Sequence, residues 1–378
     1  MSRKTVAIVA TGDGEAPSLQ EVVLDDIRAD EAIVEIQAVG VCHADLAVLH
    51  GHIPLPFPRV LGHEGAGTVR EVGADIDHVR PGDKVILSFN PCRECANCKA
   101  KLPGYCDHQM SRTWAGLRPD QSFTLRSGAS GEPTYGNFFG QSSFARLAIA
   151  NKSCLVKVPP ETDLKLFAPL GCGVQTGYGV AANTLNIQAG DSFVVSGCGA
   201  VGLSAIMAAK ARGAETIIAV DLQERRLGLA QELGATHTVN GASRDLIGEI
   251  RAIAPLPAGV RYALDTTAVP KVIENMIEVV GVRGKIVIVG ATPADKLVQI
   301  RPLAFLNAGK QLVGCVEGDS YPPESIPMLL QEARKGALPI EKMVQCYKAA
   351  DFHRAFEDMA SGKTIKPVLV WDDIEVST

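Results

Sequence analysis

No run of Lys and Arg occurs anywhere in these 378 residues, and the formal net charge is −5. Nucleic-acid binding normally leaves a basic stripe, so that class of partner is excluded. Also missing is any apolar stretch approaching the roughly 20 residues of a membrane-spanning helix, so no membrane partner is expected. Arg3-Lys4-Thr5 leads straight into the strand-like Val6-Ala7-Ile8-Val9, without the apolar core and cleavage site of a secretory signal. The expected compartment is therefore the cytosol. Internal repeats are absent. What is present is ordinary for a globular protein with a substantial core, with 46% hydrophobic and 21% charged residues. The length fits two or three domains of roughly 100–200 residues each, and neither disorder nor coiled coil is the main state.

Up to about residue 160, short β-type runs alternate with turn chemistry, as in Ala32–Ile36, Gly67–Val72 and Lys84–Leu87 after the turn Arg80-Pro81-Gly82-Asp83. This is all-β or barrel-like patterning. From Ser192 the texture changes. Candidate strands Phe193–Ser196, Ile217–Val220, His237–Val239, Tyr262–Asp265, Ile286–Val289 and Leu312–Val316 alternate with helical segments such as Glu224–Leu233 and Lys271–Val280. Six strands with intervening helices predict a parallel, doubly wound sheet. A helix at Phe352–Met359 and a strand at Pro367–Val370 follow, and the Gly-, Pro- and Ser-rich segment Asp107–Asn137 reads as a long loop. The fold class is α/β, combining a β-rich domain with the doubly wound sheet.

The strand Ser192–Ser196 runs into Gly197-Cys198-Gly199-Ala200-Val201-Gly202, which opens a small-residue helix, and Asp221 ends the next strand. That context turns a weak G-x-G-x-x-G into a dinucleotide fingerprint. Gly197 permits the tight turn, Gly199 lets backbone approach a pyrophosphate, and Gly202 lets the helix pack closely on the strand. Ala200 and Val201 open the helix, whose N-terminal N–H groups face the phosphates. Asp221 can bond both ribose hydroxyls and repels a 2′-phosphate, which favours NAD(H) over NADP(H). Arg225 and Arg226 lie close enough to soften that preference.

Ten cysteines are present, and four fall in one stretch: Cys92, Cys95, Cys98 and Cys106. In a reducing compartment, clustered cysteines bind metal or catalyse more often than they cross-link. Four thiolates close a tetrahedral shell around Zn²⁺, leaving no open position, so this site is expected to be structural. Disulfides and an iron–sulfur cluster are the alternatives. Three further residues stand out: Cys42 before His43-Ala44-Asp45, His63-Glu64 between glycines, and Cys172 between Gly171 and Gly173. Taken singly, each reads most simply as a buried cysteine or a satisfied histidine.

Taken in order, Cys42, Gly62-His63-Glu64, the four-cysteine loop, Gly171–Gly177 and the fingerprint resemble the zinc-dependent medium-chain alcohol dehydrogenases over nearly the whole chain. The resemblance implies a GroES-like catalytic domain over 1–173, a Rossmann NAD-binding domain over 174–316, and a return to the catalytic domain over 317–378. It implies two Zn²⁺ per subunit. Cys42, His63 and Cys172 would hold the catalytic ion, with the fourth position left for water or substrate oxygen. Glu64 would be an alternative ligand during exchange, and Asp45 would orient His63. Thr176 would pack against the nicotinamide, and His43 and Lys366 would contact the pyrophosphate. A small alcohol or aldehyde would be the substrate, and a homodimer or homotetramer the assembly.

The segments Phe138–Phe144 and Glu317–Ser320 look typical of the aryl, benzyl-type subgroup. Ile53, Phe89, Phe138, Phe139, Ala291 and Val316 fall at substrate-wall positions of that family, although the phenylalanines could simply fill core. Aromatic walls favour a flat substrate by roughly 0.5–1.5 kcal/mol per ring contact. One departure is plain. Ala44 and Ala47 stand where the family places a hydroxyl and often a histidine to relay the alcohol proton. Water could fill the gap, His43, His50 or His52 could substitute, or the reaction could be a conjugate or iminium reduction. A non-enzymatic zinc scaffold is the reading from another class.

Overall fold

The computed structural model describes residues 3–12, 16–255, 259–293, 295–372 and 374. The chain forms two compact units: Met1–Cys172 with Tyr321–Leu330 and Ile340–Thr378, and Gly173–Ser320 with Gln331–Pro339. The first change of unit falls within one residue of the break expected after 173. The second lies at 320/321 rather than 316/317, and residues 331–339 go with the second unit.

The first unit is built on two sheets. Its seven-stranded sheet centres on Glu31–Gly40, which is buried along almost its whole length. That strand pairs antiparallel with Glu64–Val72, Leu147–Asn151 and Lys366–Val370. Being covered and paired on both sides explains why it reads Ala-Ile-Val-Glu-Ile rather than alternating cleanly. The strand Lys366–Val370 enters from the far end of the chain and lies beside Val39 and Gly40, which places Lys366 near the cysteine that follows them. The second sheet orders Arg59–Val60, Arg3–Ala10, Ser18–Leu24, Leu125–Ser127 and Pro133–Thr134. Ile8, Val22, Ile33, Ile36, Phe144, Phe352 and Trp371 share one apolar core.

The stretch 107–137, read as a loop, carries a π-helical turn at Met110–Trp114 and two short strands. Strands of three and two residues leave no alternation to detect. A buried guanidinium anchors this lobe: Arg118 Nε and Nη2 donate to the two carboxylate oxygens of Glu31 at 2.7 and 2.8 Å, and Nη2 also donates to the carbonyl of Asp26 at 2.9 Å.

The second unit is a six-stranded parallel sheet. Its strands run His237–Asn240, Thr216–Asp221, Ser192–Ser196, Val260–Asp265, Val280–Ile288 and Gln311–Gly314, an order of 3-2-1-4-5-6 in the chain. This is the order that places a ligand crevice at the carboxyl ends of the strands. The last strand stops at Gly314 rather than Val316, because the chain turns at Glu317 and Asp319, both at positive φ. Among the described residues no helix is long and apolar enough to cross a membrane.

Candidate active site

Four side chains of the first unit converge. One ligand atom each from Cys42, His63, Glu64 and Cys172 lies within 4.8 Å of the others. Cys42 immediately precedes the helix His43–Leu49, whose third residue is Asp45. That carboxylate is fully buried, and one oxygen accepts from the His63 Nδ1–H at 3.0 Å and from Gly62 N at 3.0 Å. The other accepts from Cys42 N at 3.0 Å. Asp45 thus fixes the imidazole tautomer and both ligand-bearing backbones with one side chain. His63 Nε2 is left buried with no hydrogen-bond partner. An orphaned ring nitrogen facing two sulfurs costs free energy unless a cation fills the gap. The donor set fits Zn²⁺.

The electrostatics agree. The hydrogen bond from Cys172, with Lys366 and His63 nearby, holds the Cys42 thiol well below its usual range, although burial opposes this. Burial pushes His63 down, but Asp45 and Cys42 outweigh it and keep the ring's pKa well above the usual value. Burial also raises Glu64 to about 7, against the pull of Lys366.

Lys366, expected from the resemblance at the pyrophosphate, makes its hydrogen bonds beside Cys42. Its ammonium is buried, and it donates to both oxygens of Glu64 at 2.9 and 3.0 Å and to the carbonyl of Val41 at 3.0 Å. These intramolecular bonds hold it in an ion pair inside the first unit. His43 lies exposed in the first turn of its helix, and Ala44 and Ala47 are half-buried.

The four-cysteine loop also fits a metal. The sulfurs of Cys92, Cys95, Cys98 and Cys106 lie within 4.8 Å of one another, and none is in a disulfide. Backbone N–H groups of Cys95 and Glu94 donate to Cys92 Sγ at 3.3 and 3.4 Å, and those of Cys92 and His108 to Cys106 Sγ at 3.3 and 3.4 Å. The N–H groups of Asp107 and Cys98 lower Cys95 to about 6. Such donors favour thiolates, which is what a structural zinc site requires.

The predicted substrate wall divides. Phe139 stacks on the His63 ring, centroids 4.4 Å apart and planes at 29°. Phe138 meets that ring edge-on at 5.6 Å but is fully buried, so it backs the wall rather than presenting a face. Phe89 is also core. Trp114, which sequence reasoning missed because it sits in the supposed loop, packs against Phe139 at 5.1 Å and Phe138 at 5.8 Å. Ile53 lines a hollow of about 320 Å³ with Val48, Gly51, Pro54, Leu55 and Phe57, and none of the three phenylalanines lines it. Ala291 is exposed and Val316 half-buried, both in the second unit.

In that second unit the fingerprint has the form of a phosphate cradle. Gly197 takes φ +92°, a Cβ on Gly202 would lie 1.9 Å from Gly197 O, and a Cβ on Gly199 would meet nothing within 4 Å. The helix Ala200–Ala211 starts after Gly199 without a side-chain cap. Asp221 accepts from Cys198 N at 2.7 Å and Gln223 N at 2.9 Å, and Arg226 stands 3.8 Å away. Thr176 is buried, and its hydroxyl donates to Glu317 at 3.3 Å, beside the Gln175 amide at 3.1 Å. Glu317 carried no sequence signal beyond its subgroup-like segment.

Comparison with known proteins agrees with this geometry. Residues 28–160 match the alcohol dehydrogenase GroES-like domain family, and residues 200–335 the zinc-binding dehydrogenase family. The chain is 39% identical to a geraniol dehydrogenase of Castellaniella defragrans over 91% of each chain. It superposes on an alcohol dehydrogenase zinc-binding domain protein from Burkholderia ambifaria with a TM-score of 0.95 and 41% identity, covering 98% of this chain and 99% of that one. A benzyl alcohol dehydrogenase from Acinetobacter calcoaceticus gives a TM-score of 0.93 and 36% identity, covering 97% and 99%. With its thiolate and imidazole donor sets and its dinucleotide fingerprint on the folds those relatives share, the chain belongs to the zinc-dependent medium-chain alcohol dehydrogenase family and is an oxidoreductase.

Proposed function

We propose that the protein interconverts a primary aromatic or allylic alcohol and its aldehyde, exchanging a hydride with NAD, with Cys42, His63 and Cys172 holding a catalytic Zn²⁺. The observation that carries this reading is the meeting of two sulfurs and an orphaned imidazole nitrogen beside a carboxylate already paired with Lys366. Bound there, Zn²⁺ supplies Lewis acidity that makes an alcohol hydroxyl easier to deprotonate. The rest falls to the chain's own residues. Asp45 orients the His63 ring, Lys366 neutralises Glu64, and Phe139 and Trp114 build an apolar flank beside the imidazole. Ala44 and Ala47 carry no proton, so in this reading the hydroxyl proton leaves through water. Placing a hydroxyl there by Ala44→Thr is expected to raise kcat for alcohol oxidation by up to about 10²-fold, the low end of general acid–base assistance. Steady-state kinetics across pH check this, and an unchanged kcat removes proton delivery from the list of slow steps.

Support for the substrate class comes from the aromatic flank and from relatives named for geraniol and benzyl alcohol, an allylic and a benzylic alcohol. Support for NAD comes from Asp221, whose carboxylate is held by two backbone N–H groups at the end of the strand Thr216–Asp221 and would repel a 2′-phosphate beside it. The test is a panel of benzylic, allylic and saturated alcohols with each cofactor. Two ring contacts at roughly 0.5–1.5 kcal/mol each correspond to about tenfold higher kcat/KM for the flat substrates. Equal turnover of saturated alcohols, or a preference for NADP, overturns the finer reading.

A second copy is the proposed partner, in a homodimer or homotetramer. The helix Pro302–Ala308 buries none of its residues, Leu303 and Leu306 are 69% and 74% exposed, and the strand Gln311–Gly314 edges its sheet. An apolar face beside an open strand edge suits self-complementary pairing about a two-fold axis. Replacing both leucines by Asp is expected to give monomers by light scattering, whereas an unchanged mass places the interface elsewhere.

A further inference from the structure

Resting on the metal-site reading above, we propose that Gln141 is a positioning residue that ties the backbones of two metal ligands, His63 and Cys172, to the strained turn that carries Phe139. The Gln141 side chain is fully buried and all of its hydrogen-bonding capacity is used. Nε2 donates to the carbonyl of His63 at 2.9 Å and to that of Ser88 at 2.8 Å. Oε1 accepts from Gly65 N at 3.1 Å and from the Ser143 hydroxyl at 2.8 Å. Two carbonyls need the amide nitrogen and a backbone N–H needs its oxygen, so one orientation satisfies all three and the flipped one satisfies none of them, while the Ser143 hydroxyl can pair with either end. Ser88 in turn donates its hydroxyl to the carbonyl of Gly171 at 2.7 Å, one residue before Cys172. A single amide therefore reaches His63 directly and the residue before Cys172 through Ser88.

The turn around it is built against its own backbone preference. Phe139 takes φ 54° and Ser142 φ 45°, flanking Gly140 at 73°. A bulky residue held in the left-handed region costs on the order of 1–3 kcal/mol and persists only where its surroundings over-determine it. Here they do. The Ser142 hydroxyl accepts from Phe138 N at 2.8 Å and donates to Val60 O at 2.7 Å, and the Cys154 thiol donates to Phe139 O at 3.3 Å. The outcome of that conformation is the Phe139 ring lying over the His63 imidazole. The carbonyl of His63 and the ring of His63 are thus gripped by residues two positions apart. Groups that orient metal ligands from behind typically hold 10–100-fold of metal affinity.

The test measures zinc rather than turnover. The wild-type protein should contain two equivalents, and a competing chelator should remove them in two phases. Gln141→Met, which keeps the length of the side chain but none of its hydrogen bonds, should speed loss of one equivalent about 10–100-fold and leave the equivalent in the four-cysteine loop at its wild-type rate. Ser88→Ala, a milder change, should speed the same phase by a smaller factor and keeps the test available if Gln141→Met does not fold. Tyr347→Phe removes buried hydrogen bonds to Asp358 and Thr364 in the same unit and serves as a destabilised control that should alter neither phase. If both zinc phases in Gln141→Met and Ser88→Ala run at the wild-type rate while the thermal midpoint falls, Gln141 is structural only and the proposal fails. If the wild-type protein binds one equivalent alone, the metal-site reading fails first, and the two failures are told apart.

Discussion

Cys172→Ala is expected to lower kcat/KM for alcohol oxidation by about 10⁴-fold or more, in a folded protein that keeps one zinc equivalent. The magnitude follows from the several kcal/mol that a Lewis acid contributes to charge stabilisation, at about 1.4 kcal/mol per tenfold in rate. Folding should survive because Cys172 ends a short turn, Ala168–Gly171, that is fixed by other contacts, including the Ser88–Gly171 bond. Two ligands, Cys42 and His63, remain, and Glu64 cannot easily replace the lost sulfur while Lys366 holds both of its oxygens. The four-cysteine site gives an internal control. Cys95→Ser should remove the other equivalent and reduce stability with less effect on the chemistry, since a closed four-sulfur shell offers substrate no position. Elemental analysis, circular dichroism and kinetics on the two variants check the division. Activity of Cys172→Ala within tenfold of wild type would mean that the metal at this site does not take part in the reaction.

The parts of this molecule that the sequence makes legible are those where chemistry fixes spacing. Cys92, Cys95, Cys98 and Cys106 stand close together in the chain, so their capacity to hold one ion shows in the spacing alone. Gly197 and Gly202 are required because a Cβ at either meets atoms at 2.3 and 1.9 Å, whereas Gly199 leaves open space. The parallel strands show as short apolar runs between helices, and the predicted Glu224–Leu233 has the observed bounds. What stays hidden depends on contacts made far along the chain. Lys366 and Glu64 are 302 residues apart, and nothing local says that the lysine points inward to a carboxylate rather than outward to a phosphate. Trp114 and Arg118 lie in a Gly- and Pro-rich stretch whose order comes from a buried ion pair with Glu31, 87 residues upstream of Arg118, and not from periodicity. Gln141 looks like any polar residue until its four partners are brought round it by three different strands and turns.

Lys366→Met should destabilise the first unit by about 3–5 kcal/mol, the usual result of removing one partner from a buried ion pair. At roughly 2–4 °C per kcal/mol, the thermal midpoint should fall by about 6–20 °C. The side chains of the pair are 2% and 0% exposed, so water cannot take over the solvation of an abandoned carboxylate. Burial already pushes Glu64 up to about 7 with the lysine beside it, and without the lysine nothing in the pair opposes that push. Most of the loss is therefore a desolvated Glu64 rather than a missing attraction. Adding Glu64→Gln to Lys366→Met should consequently recover at least half of the fall, because a neutral amide costs far less to bury than a carboxylate. The same pair of variants separates the two roles open to this lysine. A pyrophosphate contact predicts a raised KM for NAD with little change in melting, and no rescue by Glu64→Gln. An ion pair behind the metal predicts the reverse, a large loss of stability that the second substitution restores while KM for NAD stays near its wild-type value.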